Sequence, residues 1–523
     1  MSKALIFLTL FSFLSARVPV YFTLSLDTFD QEGRLVDEES LAAQLAKAKA
    51  SGAEGVISDM WWGTVEAIPH HYNFNGYLRL ADLVAAAGLE LQFTLCFHGC
   101  APEDAKCNKQ LPYWVLKAED AFPRTTTGRV NKEYLSPFAD LYPVFAPRTA
   151  LDAYTQLMEK FVEAFWSHLG ITIKQVQIGL GPSGQLRYAS YLIDNFCGVG
   201  QFLAADRHIK KAFEAHLAAI GKPTLSSDLL SNESYQDSWS APFFRSLVVR
   251  DDQCMIQGKL KIDCGYMGIS PEQCFDNGCC YAAVAGEPYC YAKGKMNHAL
   301  IEGKVEDTAD GPFGKEFTKF YSQELINHAD RVLTAARNVF KFINIGIKLS
   351  AVHWTAGSAN RAPEMTAGYL VSDDFNFYEK LMPILKKHKT ILIISGIEMN
   401  NNMSPSMCYS RAKDLTDEVM EIASDAGVEI MGENAWERTD DFALFTINEH
   451  AAGLKSVNFM RLGALTSGNE YVTSQLETLI KRLKEIPNTK YSYDVGTFTL
   501  RRSSTVTIDC NECRYDPNHL LLH

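Results

Sequence analysis

Eight polar residues each sit at or just past the end of a short apolar, β-branched run: Asp59, His98, Gln185, Lys348, His353, Glu398, Glu433 and Arg461. Carboxylates, an amide, imidazoles and two fixed cations gathered at one place would suit acid–base chemistry on an uncharged, polyhydroxylated ligand. A carboxylate can take a proton from water, and a second carboxylic acid opposite it can protonate a departing oxygen. Tryptophans in the same segments, Trp61, Trp62 and Trp354, offer faces on which sugar rings can stack. Gln185 breaks the pattern, because it has the shape of glutamic acid and carries no acidic proton. Any one of these residues alone is more often a satisfied polar group. Eight in the same relation to successive runs point to a shared site.

The runs that must position them are "VPVYFTLS" (18–25), "GVISDMWW" (55–62), "ELQFTLCF" (90–97), "KQVQIGL" (174–180), "NIGIKLSAVHW" (344–354), "TILIISGIEM" (390–399), "VEIMGENA" (428–435) and "SVNFMRL" (456–462). Between them, segments such as "LDAYTQLMEKFVEAFWSHLG" and "QLETLIKRLKEI" space apolar residues three and four apart, as amphipathic helices do. Strand–helix alternation repeated in this way predicts a parallel (β/α)8 TIM barrel, whose C-terminal strand ends form one functional mouth. A doubly wound open sheet is the alternative, but no glycine-rich dinucleotide turn follows the first strand.

Bulk properties narrow the classes. With 523 residues, 47% hydrophobic and 21% charged, the chain is long enough for a barrel with insertions and too apolar for disorder. A net charge of −12 argues against nucleic acid as a partner, since no basic surface is evident to displace counterions. The opening "MSKALIFLTLFSFLSA" reads as a signal peptide over residues 1–16, so the chain is expected to be secreted, or held in the lumen of a secretory compartment, with no membrane attachment after cleavage. A membrane anchor is the alternative, but the run is short against the ~20 residues a span needs. Sequons at Asn232 and Asn402 are compatible with export.

The motifs "GAEGVISDMWWGTVE", "GLGPSGQLRYASY", "HWTAGSANRAPEMTAGY", "GIEM" and "MGENAWER" resemble, in order, the signatures of the β-amylases, the inverting exo-hydrolases of α-1,4-glucans. The resemblance runs from about residue 18 to 465, with one interruption near 245–300. It implies release of β-maltose from the non-reducing ends of starch or glycogen, with no metal or organic cofactor. By position, Glu433 matches the general base and Gln185 the general acid, normally a glutamate. Asp59 matches the aspartate that holds the sugar at the non-reducing end, and His98 matches the substrate-binding histidine of the following strand. Lys348, His353, Asn434 and Arg461 match residues that bind glucose units or support the base, and Ser395 takes the inner-loop place of a threonine. The family's mobile lid corresponds to "HGCAPEDAKCNKQLPYW", in which Asp104 is the candidate lid aspartate and Cys100–Cys107 the expected disulfide.

Gln185 leaves three readings open: an introduced carboxylate-to-amide change that traps substrate, a natural loss producing a glucan-binding protein, or transfer of the acid role to Glu398. Losing a general acid typically costs ~10²–10⁴-fold, so the chain as written is expected to be weak or inactive as a hydrolase. The alternative function is a secreted glucan- or mucin-glycan-binding protein that uses the same pocket.

Thirteen cysteines are unevenly spread, with six in residues 254–290 at the spacing C-x9-C-x9-C-x4-C-C-x9-C. This resembles a trefoil (P-type) domain, which implies the pairs Cys254–Cys280, Cys264–Cys279 and Cys274–Cys290 and suggests mucosal glycans as a partner. A zinc site is the alternative; a secreted chain with adjacent cysteines favours disulfides. Cys96 and Cys197 read as buried thiols. Cys510 and Cys513 read as a local staple or as nothing, since no thioredoxin-like context surrounds them. The expected organisation is a signal peptide (1–16), barrel (17–249), trefoil inserted between the fourth and fifth strands (250–294), barrel (295–490) and tail (491–523).

Overall fold

The computed structural model describes residues 18–100, 107–125, 128–190, 200, 202–222, 263–266, 269–277, 279–281, 289–291, 311–354, 356, 361–401 and 410–486. The eight runs form strands β1 (Val20–Thr23), β2 (Gly55–Trp61), β3 (Glu90–Cys96), β4 (Ile173–Ile178), β5 (Asn344–Leu349), β6 (Thr390–Ser395), β7 (Ile430–Glu433) and β8 (Ser456–Met460). They pair in chain order as one closed parallel barrel, and β8 returns to β1 with Val20 opposite Val457 and Thr23 opposite Met460. The predicted (β/α)8 barrel is the fold. Closure leaves no open sheet edge, which excludes the doubly wound alternative.

Helices α1 (Glu38–Ala50), α2 (Asn75–Ala86), α3 (Ala150–Phe165), α4 (Arg207–Ala219), α5 (Pro312–Val339), α6 (Phe377–Lys387), α7 (Ala412–Asp425), α8 (Asp441–Ala451) and α9 (Glu470–Glu485) connect the strands. In α3, Thr149 and Asp152 form a capping box, and Ala153, Tyr154, Leu157, Met158, Phe161 and Phe165 give it one buried apolar face. Asp37 and Asn469 cap α1 and α9 in the same manner, by accepting from backbone N–H groups of the first turn.

Strand periodicity divides the side chains. Val56, Met60, Phe93, Leu95, Val176, Ile178, Ile345, Ile347, Leu392, Ile394, Val457 and Phe459 belong to the large core shared with the helices. The alternate positions turn inward, where Ile391, Ile393 and Met431 make a small separate apolar cluster. Much of the remaining interior is polar. Thr94 donates to Gln177 (3.2 Å), which donates to Gln92 (3.3 Å), all three buried. Such groups are tolerated in a barrel core because they satisfy one another.

The same alternation corrects one expectation. Trp62 does not line the mouth: it is buried in the outer core, edge-on to Phe97, Trp114 and Tyr154, with its indole N–H on Glu66 (2.8 Å). Adjacent residues of a strand face opposite sides, so only one of Trp61 and Trp62 could turn toward the barrel interior.

Between β4 and β5 the chain carries α4, the cysteine-rich segment and α5. Within that segment Cys264 is bonded to Cys279 and Cys274 to Cys290. A two-stranded antiparallel pair joins Cys280–Tyr281 to Cys290–Tyr291, and Ile269, Cys274, Cys279 and Cys290 form its small core. The sulfurs of Cys264, Cys279 and Cys290 cluster closely, but all three are tied into disulfides, so none is available as a thiolate for zinc. Cys254, and with it the expected Cys254–Cys280 pair, lies outside the described residues, as do the proposed signal peptide, both sequons, Cys197 and the tail with Cys510 and Cys513. Among the described residues no helix is long and apolar enough to cross a membrane.

Candidate active site

The site is built around Glu433, the last residue of β7, which is buried at 3% exposure. Lys348, on the neighbouring side of the barrel in β5, reaches both of its oxygens, at 3.0 and 2.9 Å. Asn458 of β8 donates its amide to Oε2 of Glu433 and accepts from the Thr23 hydroxyl of β1 (3.0 Å). Every side chain bonded to this carboxylate is a donor, so the contacts fix its orientation. Burial alone would lower the Lys348 ammonium, but Glu433 and Asp59 outweigh it and hold it above the ordinary lysine range. Asp59 lies inside β2, and the buried thiol of Cys96 points at its Oδ1 from β3 (3.8 Å). Burial, reinforced by Asp59, pushes that thiol well above its ordinary value, so it is a proton-bearing neighbour rather than a thiolate.

Gln185 stands where a short turn leaves β4. Gly181, Pro182, Ser183 and Gly184 build that turn, with Ser183 and Gly184 at positive φ (55° and 74°). A side chain at Gly181 would collide with the carbonyl oxygens of Gln185 and Arg187, which a Cβ would meet at 2.4 and 2.5 Å. Only glycine permits the backbone to fold back so closely. Leu186 then donates to the carbonyl of Lys348 (2.8 Å), so Gln185 pairs with Lys348 as a one-residue extension of the sheet. Arg187 donates from Nε to Oε1 of Gln185 (2.9 Å). Because the guanidinium can only donate, the oxygen of the amide must face it, and the amide nitrogen is left to the other side.

His98 follows β3 and is buried, with Trp61 edge-on to its ring at 5.1 Å. Burial, with Lys348 and Arg187 nearby, lowers its pKa to about 3, so it is neutral at any physiological pH. Its Nδ1 has no protein partner. His353, beyond β5, is likewise lowered by burial to about 4, bonds Ser410 through Nδ1 (2.7 Å) and stacks on Trp354. Arg461, just after β8, donates to the carbonyl of Leu24 (2.8 Å) and faces Glu437 at 3.9 Å.

Three residues of the predicted set are engaged by the scaffold. Ser395 accepts from the N–H of Ala351 (3.2 Å) and donates to the carbonyl of Leu349 (3.0 Å), tying β6 to the end of β5. Asn434 donates to the carbonyls of Trp436 (2.5 Å) and Met460 (3.0 Å) and accepts from the Met460 N–H (2.6 Å). Its side chain therefore latches β7 to β8 and leaves no amide proton for a ligand. Glu398, fully buried, accepts from the N–H groups of Ala435 (3.1 Å) and Trp436 (2.9 Å). Burial raises its pKa, but it is aimed at backbone rather than at the mouth.

The bond between Cys100 and Cys107 is formed, and Lys109 anchors its base by donating a backbone N–H to Cys100 Sγ (2.9 Å) and its ammonium to the carbonyls of Phe29 and Asp30. Asp104 lies outside the described residues. Asn458 and Arg187 were not singled out from sequence. An asparagine inside the apolar run "SVNFMRL", on the inward parity of its strand, was the available signal for the first.

Residues 21–228 and 302–489 match Glycosyl hydrolase family 14, and residues 254–293 match the Trefoil (P-type) domain. The chain is 32% identical over 440 residues to "Beta-amylase 1, chloroplastic" of Oryza sativa subsp. japonica, covering 82% of this chain and 72% of that protein. It is 30% identical over 442 residues to "Beta-amylase 2, chloroplastic" of the same plant, covering 82% and 69%. In fold it is similar to the crystal structure of the catalytic domain of beta-amylase from Paenibacillus polymyxa, with a TM-score of 0.65 at 22% identity over 90% of this chain and 99% of that one.

Proposed function

The chain belongs to glycosyl hydrolase family 14, the β-amylases, glycoside hydrolases that act on α-glucans, and from that premise we propose that its barrel recognises the non-reducing end of α-1,4-glucans such as starch or glycogen. In this reading Glu433 is the general base: it draws a proton from a water that attacks the anomeric carbon, and inversion gives β-maltose. The observation that supports it most is the clamp of Lys348 and Asn458 on the Glu433 carboxylate, which keeps the base aimed. Asp59 and the free nitrogen of His98 take hydroxyls of the terminal sugars, and Lys348, His353 and Arg461 line the rest of the pocket.

Gln185 occupies the place of the general acid and supplies only a hydrogen bond. Turnover of natural glucans is therefore weak or absent, while binding persists, because the sugar-holding groups do not depend on the acid. Glu398 does not replace it, since backbone N–H groups hold its carboxyl. The second reading, a non-catalytic glucan-binding protein, is favoured by the fixed orientation of the Gln185 amide. Secretion through residues 1–16 and adhesion to mucosal glycans through the trefoil complete the proposal.

Titration calorimetry with maltose, beside β-maltose release from soluble starch, tests it. Binding that Asp59→Ala weakens, with slow or no release, is the expected result. No heat and no competition at millimolar maltose would show that the glucan pocket is misassigned.

A further inference from the structure

The site retains the half of an inverting hydrolase that attacks and lacks the half that assists departure. The Glu433 carboxyl group is held in place by Lys348 and Asn458. Gln185 is held by Arg187 with its amide nitrogen free to donate a hydrogen bond but with no proton to give. Among the described residues, Glu398, His98, His353 and Lys348 do not replace the missing acid. Glu398 is fully buried and bonded to the N–H groups of Ala435 and Trp436. His98 and His353 are buried imidazoles, and the Lys348 ammonium is paired with Glu433.

An alkoxide is a poor leaving group and needs a proton in the transition state. An anion that is already stable in water does not. Resting on the pocket assignment above, we infer that this chain hydrolyses α-maltosyl donors whose leaving group departs as a stable anion, such as fluoride, while leaving glucan chains essentially uncut. In the step, the oxygen of water bonds to the anomeric carbon and its proton passes to a Glu433 oxygen. The carbon–fluorine pair leaves with fluoride, and the Gln185 amide N–H is placed to donate to the departing ion. Glu433 then returns the proton to solvent. The sum is α-maltosyl fluoride plus water giving β-maltose plus hydrogen fluoride, with no oxidant or co-reactant.

The test uses the full chain, with fluoride release read by an ion-selective electrode and the anomer of the first-formed maltose read by NMR. Maltotetraose cleavage and maltose binding are measured in parallel. We expect fluoride release at least ~10²-fold faster than maltotetraose cleavage, the span general-acid assistance usually covers. The product is β-maltose, and the isosteric Glu433→Gln removes the release while maltose still binds. Maltose binding without fluoride release above the spontaneous rate overturns this inference and leaves the pocket assignment standing. Absence of both overturns the assignment itself. Maltotetraose cleavage as fast as fluoride release also overturns the inference, because some group must then be supplying the proton.

Discussion

Replacing Gln185 by glutamate restores one proton and nothing else. The two side chains are isosteric, and the Arg187 Nε bond at 2.9 Å persists as a charge-assisted one, so the fold has no reason to change. General-acid catalysis contributes ~10²–10⁴-fold, which is about 3–5.5 kcal/mol of transition-state stabilisation at ~1.4 kcal/mol per decade. The gain depends on pH in a stated direction. A carboxyl of ordinary pKa near 4.3 is protonated in roughly 1 molecule in 500 at pH 7 and in about 1 in 6 at pH 5. Arg187, a fixed cation in contact with it, favours the ionised form and so moves the climb toward lower pH. The Gln185→Glu variant should therefore release β-maltose from soluble starch far faster than the unchanged chain, with a rate that rises as pH falls from 7 toward 5. Adding Arg187→Met should carry the falling limb at high pH upward. Stopped assays of β-maltose across that range, beside calorimetry with maltose, measure both effects. A variant that binds maltose as the parent does and gains no activity would refute the placement of Gln185 at the acid position. So would full activity in the parent.

Asn458→Ala, in the Gln185→Glu background, removes a donor from the Glu433 carboxyl group and leaves Thr23 without its acceptor. The kcat should fall about tenfold with KM little changed, while stability drops by ~1–3 kcal/mol, the usual cost of an orphaned buried polar group. Asp206, the N-cap of α4, has its pKa raised by burial to about 6, although the N–H groups of His208 and Ile209 pull the other way. A carboxyl whose folded pKa exceeds its unfolded value favours the fold at low pH and loses that contribution as pH rises through the folded value. Relative to Asp206→Asn, the parent should therefore lose up to ~3 kcal/mol of stability between pH 4 and 7, measured by urea unfolding. Deleting residues 250–294 with a short linker should leave a folded barrel that still binds maltose, because closing a surface loop adds little that grows with its length. A deletion that fails to fold would make the insert part of the barrel's support.

The barrel was legible because the strands are short apolar runs at even intervals and the helices carry a clean three-and-four spacing. Facing was harder to read. In "DMWW" nothing but strict alternation tells that Trp61 meets His98 while Trp62 enters the outer core, and a strand boundary misjudged by one residue reverses the answer. Residue type also could not separate groups that face a ligand from groups that hold the rim. Asn434, Ser395 and Glu398 occupy the motif positions expected of a site, yet their polar atoms are taken by backbone of neighbouring strands and turns. Such long-range bonds have no local sequence signature. Arg187 illustrates the converse, a residue inside a quoted motif whose role depends on a side chain two positions away.

Glu433 and Gln185 differ in how much of the structure depends on them. Glu433 takes part in a buried network that runs through Lys348, Asn458 and Thr23 across three other strands, and its backbone oxygen accepts from Gly396 at 2.7 Å. Neutralising it would leave the Lys348 ammonium buried without its closest counter-charge, a change that typically costs ~3–5 kcal/mol. Gln185 is half-buried on a turn that glycines shape, and its side-chain oxygen accepts from Arg187, a bond that glutamine satisfies as well as glutamate does. Exchange of glutamate and glutamine at this position leaves that bond in place. Glu433 is thus a carboxylate the barrel needs for its own stability. Retention of Glu433 is therefore weak evidence for catalysis on natural glucans, and kinetics with a leaving group that needs no proton is the measurement that isolates it.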